Sequence, residues 1–306
     1  MIKHLISLKE LEPKEIEYII DKAIEIKKNP EKFSHVLDEK TLAMLFQKTS
    51  TRTRVSFEVA MTQMGGHAIF LDWKTTQFIM SEIRDEIRYI SRNVDIVMAR
   101  LVKNADLMEM IKYSIVPVIN GCCEKHHPCQ ALADLMTVKE HLGKLKGLKL
   151  TYFGIANNVS NSLSLGCTKT GIEFTLCVPE KHSISLDQEL IDYIKETGLY
   201  FEEKDPRKAV KNADIIYTDS WIDMELFLDP KFKDEKERRL KTFMPYQLNN
   251  DLLKNSKALI MHDMPMHVGY EITRDIIESS KSIIFDQAEN RLHIQKAIML
   301  YLLGKI

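Results

Sequence analysis

Several features are missing from this 306-residue sequence, and each absence closes off a class of function. Neither sign of charge is in excess: 43 Lys and Arg stand against 44 Asp and Glu, a formal net charge of −1. That balance leaves no electrostatic footprint for nucleic acid or for an acidic membrane surface, so neither is expected as a partner. No apolar run approaches the roughly 20 residues that a membrane-spanning helix needs. The amino terminus, MIKHLISLKELEPKE, is interrupted by charge too often to be a signal peptide. Cysteine is sparse and unpaired in pattern. Cys122, Cys123, Cys129, Cys167 and Cys177 are odd in number and show neither CxxC nor Cys/His zinc spacing. Thiols in a reducing, cytoplasmic compartment are the expectation, with no metal site. A P-loop and a G-x-G-x-x-G turn are both lacking, so no nucleotide or other cofactor is expected. Repeats and low-complexity stretches are lacking too.

What is present reads as an ordinary globular chain, with 44% hydrophobic and 28% charged residues. Its length suits two domains. Short apolar runs alternate with longer stretches of helical period. The strand-like runs are 41–46, 67–71, 95–99 and 116–120, then 148–154, 173–178, 214–218, 258–262 and 282–285. Amphipathic stretches cover 53–64, 83–92, 130–142, 159–170 and 186–197. Alternation of this kind predicts parallel βαβ units, and buried parallel strands stay apolar instead of alternating. The segment GKLKGLKL at 143–150 marks the boundary. The expected fold is α/β, with two tandem doubly wound parallel-sheet domains over 1–143 and 144–286. A helix over 287–306 is expected to pack back on the first.

Polar chemistry concentrates after the first strand, in Thr49, Ser50, Thr51, Arg52, Thr53 and Arg54. A helix N-terminus presents free N–H groups and the positive end of its dipole. Capping needs one hydroxyl; four hydroxyls and two guanidiniums there suit a phosphate. A second group, His127-Pro128-Cys129-Gln130, follows the fourth strand, at the strand end where open α/β sheets bind ligands. A donor at His127 would polarise a carbonyl oxygen. Arg100 ends the third strand at the same edge.

Ser50-Thr51-Arg52-Thr53-Arg54 and His127-Pro128-Cys129-Gln130 together resemble two signatures of the aspartate/ornithine carbamoyltransferase family, and Glu289-Asn290-Arg291 resembles its C-terminal arginine motif. The three occur in order and span nearly the whole chain. The resemblance implies a carbamoyl phosphate site of Ser50, Thr51, Arg52, Thr53, Arg100, His127, Gln130 and Arg291. It also implies a homotrimer, or a multiple of trimers, in which the loop 72–82 reaches the neighbouring subunit's site through Gln77. The chemistry follows from charge. Arg52, Arg100 and Arg291 offset the phosphate, Thr53, Arg100 and His127 donate to the carbonyl oxygen, an amine attacks, and phosphate departs. Such a transfer needs positioning and oxyanion stabilisation only.

Three segments of the second half bear on the acceptor. Asn157-Asn158 resembles the asparagine pair of the ornithine branch, and Asp219…Met224 its aspartate and methionine. Asn158, Asp219, Met224 and Met264 are thereby implied to hold the acceptor. The arginine with which the aspartate branch holds a carboxylate has no counterpart. Three positions depart from the ornithine pattern: Asp223 stands at its serine, Glu225 at its glycine, and Asp263, in His262-Asp263-Met264-Pro265, at its cysteine. The carboxylates of Asp219, Asp223 and Asp263 favour a cationic, amine-bearing acceptor, with Asp263 available as general base. L-Ornithine, giving L-citrulline, is the expected substrate. Putrescine or another basic amine is the alternative, because 241–250 and the C-terminal stretch also resemble putrescine-carbamoylating relatives. A binding paralogue without turnover would have lost chemistry residues, and Arg52, Thr53, Arg100, His127, Gln130 and Arg291 all stand.

Overall fold

A computed structural model describes residues 2–222 and 230–306. The chain forms two compact units. One comprises Met1–Met136, Asn161–Gly166 and Glu289–Ile306; the other comprises Thr137–Ser160 and Cys167–Ala288.

The first unit opens with helix α1 (Pro13–Lys28), which buries Ile16, Ile19, Ile20, Ala23 and Ile26 on one face. Strand β1 (Thr41–Phe46), helix α2 (Thr51–Gln63), strand β2 (His67–Asp72), helix α3 (Ile83–Ile90), strand β3 (Ile96–Arg100), helix α4 (Asn104–Tyr113) and strand β4 (Val118–Asn120) follow. All strand pairs are parallel, in the order β2-β1-β3-β4. The chain leaves β1 to one side for β2 and returns to the other side for β3. That reversal puts a switch point between β1 and β3. Registers Phe46↔Arg100 and Ala99↔Asn120 then bring the carboxyl ends of β1, β3 and β4 side by side. Leu45, Val97, Ala99, Val118, Leu107 and Met110 make the core beneath them.

Helix α5 (Pro128–Leu142) leads into strand β5 (Lys149–Phe153), helix α6 (Asn158–Lys169), strand β6 (Glu173–Cys177), helix α7 (Gln188–Glu196), strand β7 (Tyr200–Glu202), the short helix α8 (Pro206–Ala209) and strand β8 (Ile215–Thr218). Helix α9 (Lys233–Phe243), strand β9 (Leu259–His262), the single turn α10 (Arg274–Ile277) and helix α11 (Ile284–Leu302) complete the chain. The second sheet is again parallel, in the order β7-β6-β5-β8-β9, with its switch point between β5 and β8. Its core gathers Phe153, Ile216, Ile260, Leu248 and Ile284.

Two elements differ from the sequence reading. The run 282–285 is not a strand: it makes one parallel bridge, Ser282 to Ile260, and helix α11 begins at Ile284. Strand β7 had no apolar run to betray it, since Phe201 and Glu202 are exposed at the sheet edge. From Glu289 onward α11 belongs to the first unit, where Lys27 donates to Asn290 (2.7 Å) and Lys296 to Gln63 (2.6 Å). Among the described residues, no helix is long and apolar enough to cross a membrane.

Candidate active site

In the first unit the predicted residues come together at the carboxyl edge of the sheet. Ser50 caps α2, its hydroxyl accepting the N–H of Thr53 at 3.3 Å, as a helix N-terminus requires. Thr51 and Arg54 point outward: Thr51 is exposed, and Arg54 pairs with Glu58 (3.3 Å) and lies 3.8 Å over the Phe70 ring. Thr53 points inward and is buried. Its hydroxyl accepts from Nη2 of Arg291 at 2.6 Å and from Nη1 of Arg100 at 3.4 Å. A helix start, a strand end and the C-terminal helix thus converge on one oxygen.

The loop that delivers His127 is wound around a buried asparagine. Asn120 donates to the carbonyls of Ile6 (2.9 Å) and His126 (3.4 Å), and its own carbonyl oxygen accepts from Cys122 N–H (2.9 Å). Gly121 lets this loop pass close to β3: a Cβ there would stand 2.5 Å from Met98 Sδ and 3.3 Å from Arg100 Cβ, so those side chains would have to shift. Ser162 fixes the far end by accepting His127 N–H at 2.8 Å.

The electrostatics are one-sided. Burial first, then the charges of Arg291, Arg100 and Arg52, push the His127 imidazole well below its ordinary pKa, so it is neutral at physiological pH. His127 Nδ1, Arg100 Nε and Gln130 Oε1 are buried and have no hydrogen-bond partner among the described residues. Arg100 has no carboxylate partner among them either. Buried polar groups are normally satisfied, so this cluster is built to receive an anion that also offers donors. Gln77 does not join it. That residue sits exposed on the turn Gln77–Ile79, and among the described residues no hydrogen bond links its side chain to the cluster.

The second unit gathers acids. Gly154, at φ +120°, lets the end of β5 pass Asp219, where a Cβ would stand 3.0 Å from the Asp219 carbonyl oxygen. Asp219 Oδ2 accepts from Asn157 (2.6 Å) and the Tyr152 hydroxyl (3.0 Å), and Oδ1 accepts from Ser220 N–H (2.6 Å). Its carboxyl is also hydrogen-bonded to Asp263. Burial, and next the Asp263 charge, raise Asp219 well above the usual carboxylate range, since two adjoining carboxylates resist ionising together. Behind them, His262 Nε2 lies 3.1 Å from Glu271, and Met264 N–H donates to Nδ1 at 2.8 Å. Burial disfavours charge on this ring, and Asp263 and Glu271 outweigh it, raising its proton affinity. The Met264 N–H nevertheless occupies Nδ1, which puts the ring proton on Nε2 toward Glu271.

Asn157, not Asn158, holds Asp219; it also caps α6 through its carbonyl oxygen, which accepts from Val159 N–H at 3.0 Å. Asn158 is half-buried as the first residue of that helix, and Met264 is half-buried against the core at a φ of +60°. Asp223 and Met224 lie outside the described residues. Sequence reasoning paired Asn157 with Asn158 but not with Asp219, and it missed Tyr152, Glu271, Ser162 and the role of His262 as site-building residues. Their partners are distant in sequence, and only the fold shows them. Among the described residues, no group of three His, Cys, Asp or Glu side chains is arranged to hold a metal ion.

Comparison with known proteins agrees with this division of chemistry. Residues 3–140 match the family model described as aspartate/ornithine carbamoyltransferase, carbamoyl-P binding domain. Residues 146–302 match the model described as aspartate/ornithine carbamoyltransferase, Asp/Orn binding domain. An ornithine carbamoyltransferase from Archaeoglobus fulgidus is 45% identical over 310 residues, covering 99% of this chain and 98% of the relative. An anabolic ornithine carbamoyltransferase from Pyrococcus furiosus is 47% identical over 279 residues, covering 89% of this chain and 86% of the relative. The solved structure of the ornithine carbamoyltransferase from Pyrococcus furiosus superposes with a TM-score of 0.91 at 43% identity, covering 99% of this chain and 98% of that one. The chain belongs to the aspartate/ornithine carbamoyltransferase family.

Proposed function

We propose that the chain transfers the carbamoyl group of carbamoyl phosphate to the side-chain amine of L-ornithine, giving L-citrulline and phosphate. The observation that carries this reading is the convergence of Arg52, Arg100 and Arg291 beside a neutral, buried His127. Residues 1–143 and 287–306 take carbamoyl phosphate, and residues 144–286 take the amine. The helix start at Ser50 and Thr51, with the three guanidiniums, holds the phosphate. Thr53, Arg100 and His127 donate to the carbonyl oxygen, whose negative charge grows as the amine lone pair adds to carbon. Gln130 takes the carbamoyl NH2. The new C–N bond forms, the C–O bond to phosphate breaks with its electron pair, and Asp263 removes the surplus amine proton. Losing one oxyanion donor in such a site slows turnover by roughly 10²–10³-fold.

Asn158, Asp219, Asp223, Met224, Asp263 and Met264 bind the acceptor, and its ammonium pairs with their carboxylates. Gln77 serves a neighbouring copy's site in a cytoplasmic homotrimer, a reading supported by its exposure on its own chain. Light scattering giving a monomer mass would remove that role for Gln77.

Ureido-product formation from carbamoyl phosphate is the direct test, comparing ornithine, putrescine, lysine, agmatine and aspartate. Ornithine is expected to give the highest kcat/KM, and aspartate none. Higher activity with putrescine would make the acid pair a diamine pocket, and silence with every amine would leave a binding protein without turnover. In the same assay Asp263→Cys should raise the preference for ornithine over putrescine by roughly tenfold, the worth of one charged hydrogen bond. An unaltered preference would show that Asp263 does not contact the acceptor.

Arg52→Ala should weaken carbamoyl phosphate binding by roughly 100-fold in calorimetry, as expected for removing a charged partner of an anion, with an unchanged melting profile. Undiminished affinity would remove the phosphate assignment. His127 makes a separate prediction through pH. Its folded pKa is depressed, so the unfolded chain takes up a proton below about pH 6.5 that the folded chain refuses. Stability therefore drains away as pH falls. Between pH 7.5 and 5.5, His127→Gln should gain stability relative to the native chain, on the order of 1 kcal/mol, in denaturant unfolding without ligand. A pH-independent difference would mean that His127 is not depressed.

A further inference from the structure

Helix α5 carries two buried side chains one turn apart, Gln130 and Asp134. Gln130 Nε2 donates to Asp134 Oδ1 at 2.9 Å. The other end of that amide, Oε1, is buried and has no hydrogen-bond partner among the described residues. The two ends of a glutamine amide are nearly equal in shape, so the partner decides which way the group faces. A carboxylate oxygen only accepts. Asp134 therefore claims the NH2 end and leaves the carbonyl oxygen for a guest.

That oxygen is an acceptor in a neighbourhood of donors. Gln130 N–H is bonded to the His127 carbonyl at 3.1 Å, which places the residue one tight turn after the histidine whose imidazole feels the charges of Arg291, Arg100 and Arg52. Guanidiniums and a hydroxyl suit the phosphate and the carbonyl oxygen of an acyl phosphate. Only a substrate N–H suits Oε1. In carbamoyl phosphate the carbamoyl NH2 is that group. Acetyl phosphate has the same charge and nearly the same shape, with a methyl in its place.

We propose that Asp134 is a positioning residue that locks the Gln130 amide with its oxygen toward the substrate, so that the site reads the carbamoyl NH2 and rejects acyl phosphates lacking it. The proposal rests on the reading that the first unit binds carbamoyl phosphate. A buried acceptor left facing a methyl group loses a hydrogen bond without compensation, which is how a polar site rejects an isostere.

The test is the ratio of affinities for carbamoyl phosphate and acetyl phosphate in Gln130→Ala, Asp134→Ala and the double variant. Inorganic phosphate, measured by competition, serves as the internal control. Each single variant should lower the ratio by roughly tenfold, the worth of one hydrogen bond to a buried group. Phosphate affinity should stay within about twofold, because neither side chain is assigned to the phosphate. If Asp134 acts through Gln130, the double variant is no worse than Gln130→Ala alone; a purely structural Asp134 would instead add its effect. Should the alanine variant fail to fold, Asp134→Leu fills the vacated space and carries the same test. An unchanged ratio in either folded variant overturns the proposal, as does an additive double variant. A native chain that binds no carbamoyl phosphate at all would instead sink the functional reading beneath it.

Discussion

Three guanidiniums held next to a buried, uncharged imidazole constrain everything else in the first unit. Like charges at this separation repel, and the neutral state of His127 records how strongly the surroundings refuse a further positive charge. The fold holds the arrangement by taking each group from a different rigid element. Arg52 comes from the first turn of α2, Arg100 from the end of β3 and Arg291 from α11, with the Thr53 hydroxyl accepting from the last two. A side chain on a helix or a strand end cannot drift away to relieve the repulsion. An anion placed among them would offset that repulsion, so an affinity for phosphate would follow from the architecture more than from any one contact.

Sheet topology explains why these elements meet. In a parallel sheet every strand's carboxyl end faces the same edge, and only at a reversal of strand order do the following loops separate to leave room. Both units use that opening. Between β1 and β3 it collects cations and hydroxyls, and between β5 and β8 it collects Asn157, Tyr152 and Asp219. One wiring therefore serves opposite chemistries. The residue types on the loops, not the fold, decide which substrate fragment each unit prefers.

The sequence disclosed the parts of this that are local. Buried parallel strands read as continuous apolar runs, which is why β1, β3, β5, β8 and β9 stood out, while β7 exposes half its surface at an edge and did not. The run 282–285 misled because three consecutive apolar residues look alike at the start of a buried helix and in a core strand. Helix α9, KDEKERRLKTF, has too few apolar residues to show a face. At the site, charge and hydroxyl density singled out 49–54 and His127. Nothing local could mark Asn157 as the partner of Asp219, or Glu271 as the partner of His262, because those pairs exist only once β5, β8 and β9 lie side by side.

Asp263 is where local and long-range logic collide. Taken alone, an aspartate before Met264 and Pro265 passes for a turn-capping residue. In the fold it is hydrogen-bonded to Asp219, whose other partners, Asn157, Tyr152 and the Ser220 N–H, are all neutral donors. His262 Nδ1 lies 3.5 Å from Asp263. Yet Nδ1 already accepts the Met264 N–H, and charging the ring there would break that bond in a region with little water to replace it. Burial and the neighbouring Asp263 charge instead favour a proton on Asp219. Guanidiniums gather in the first unit and carboxyl groups in the second, so the two sites differ in the sign of charge they present.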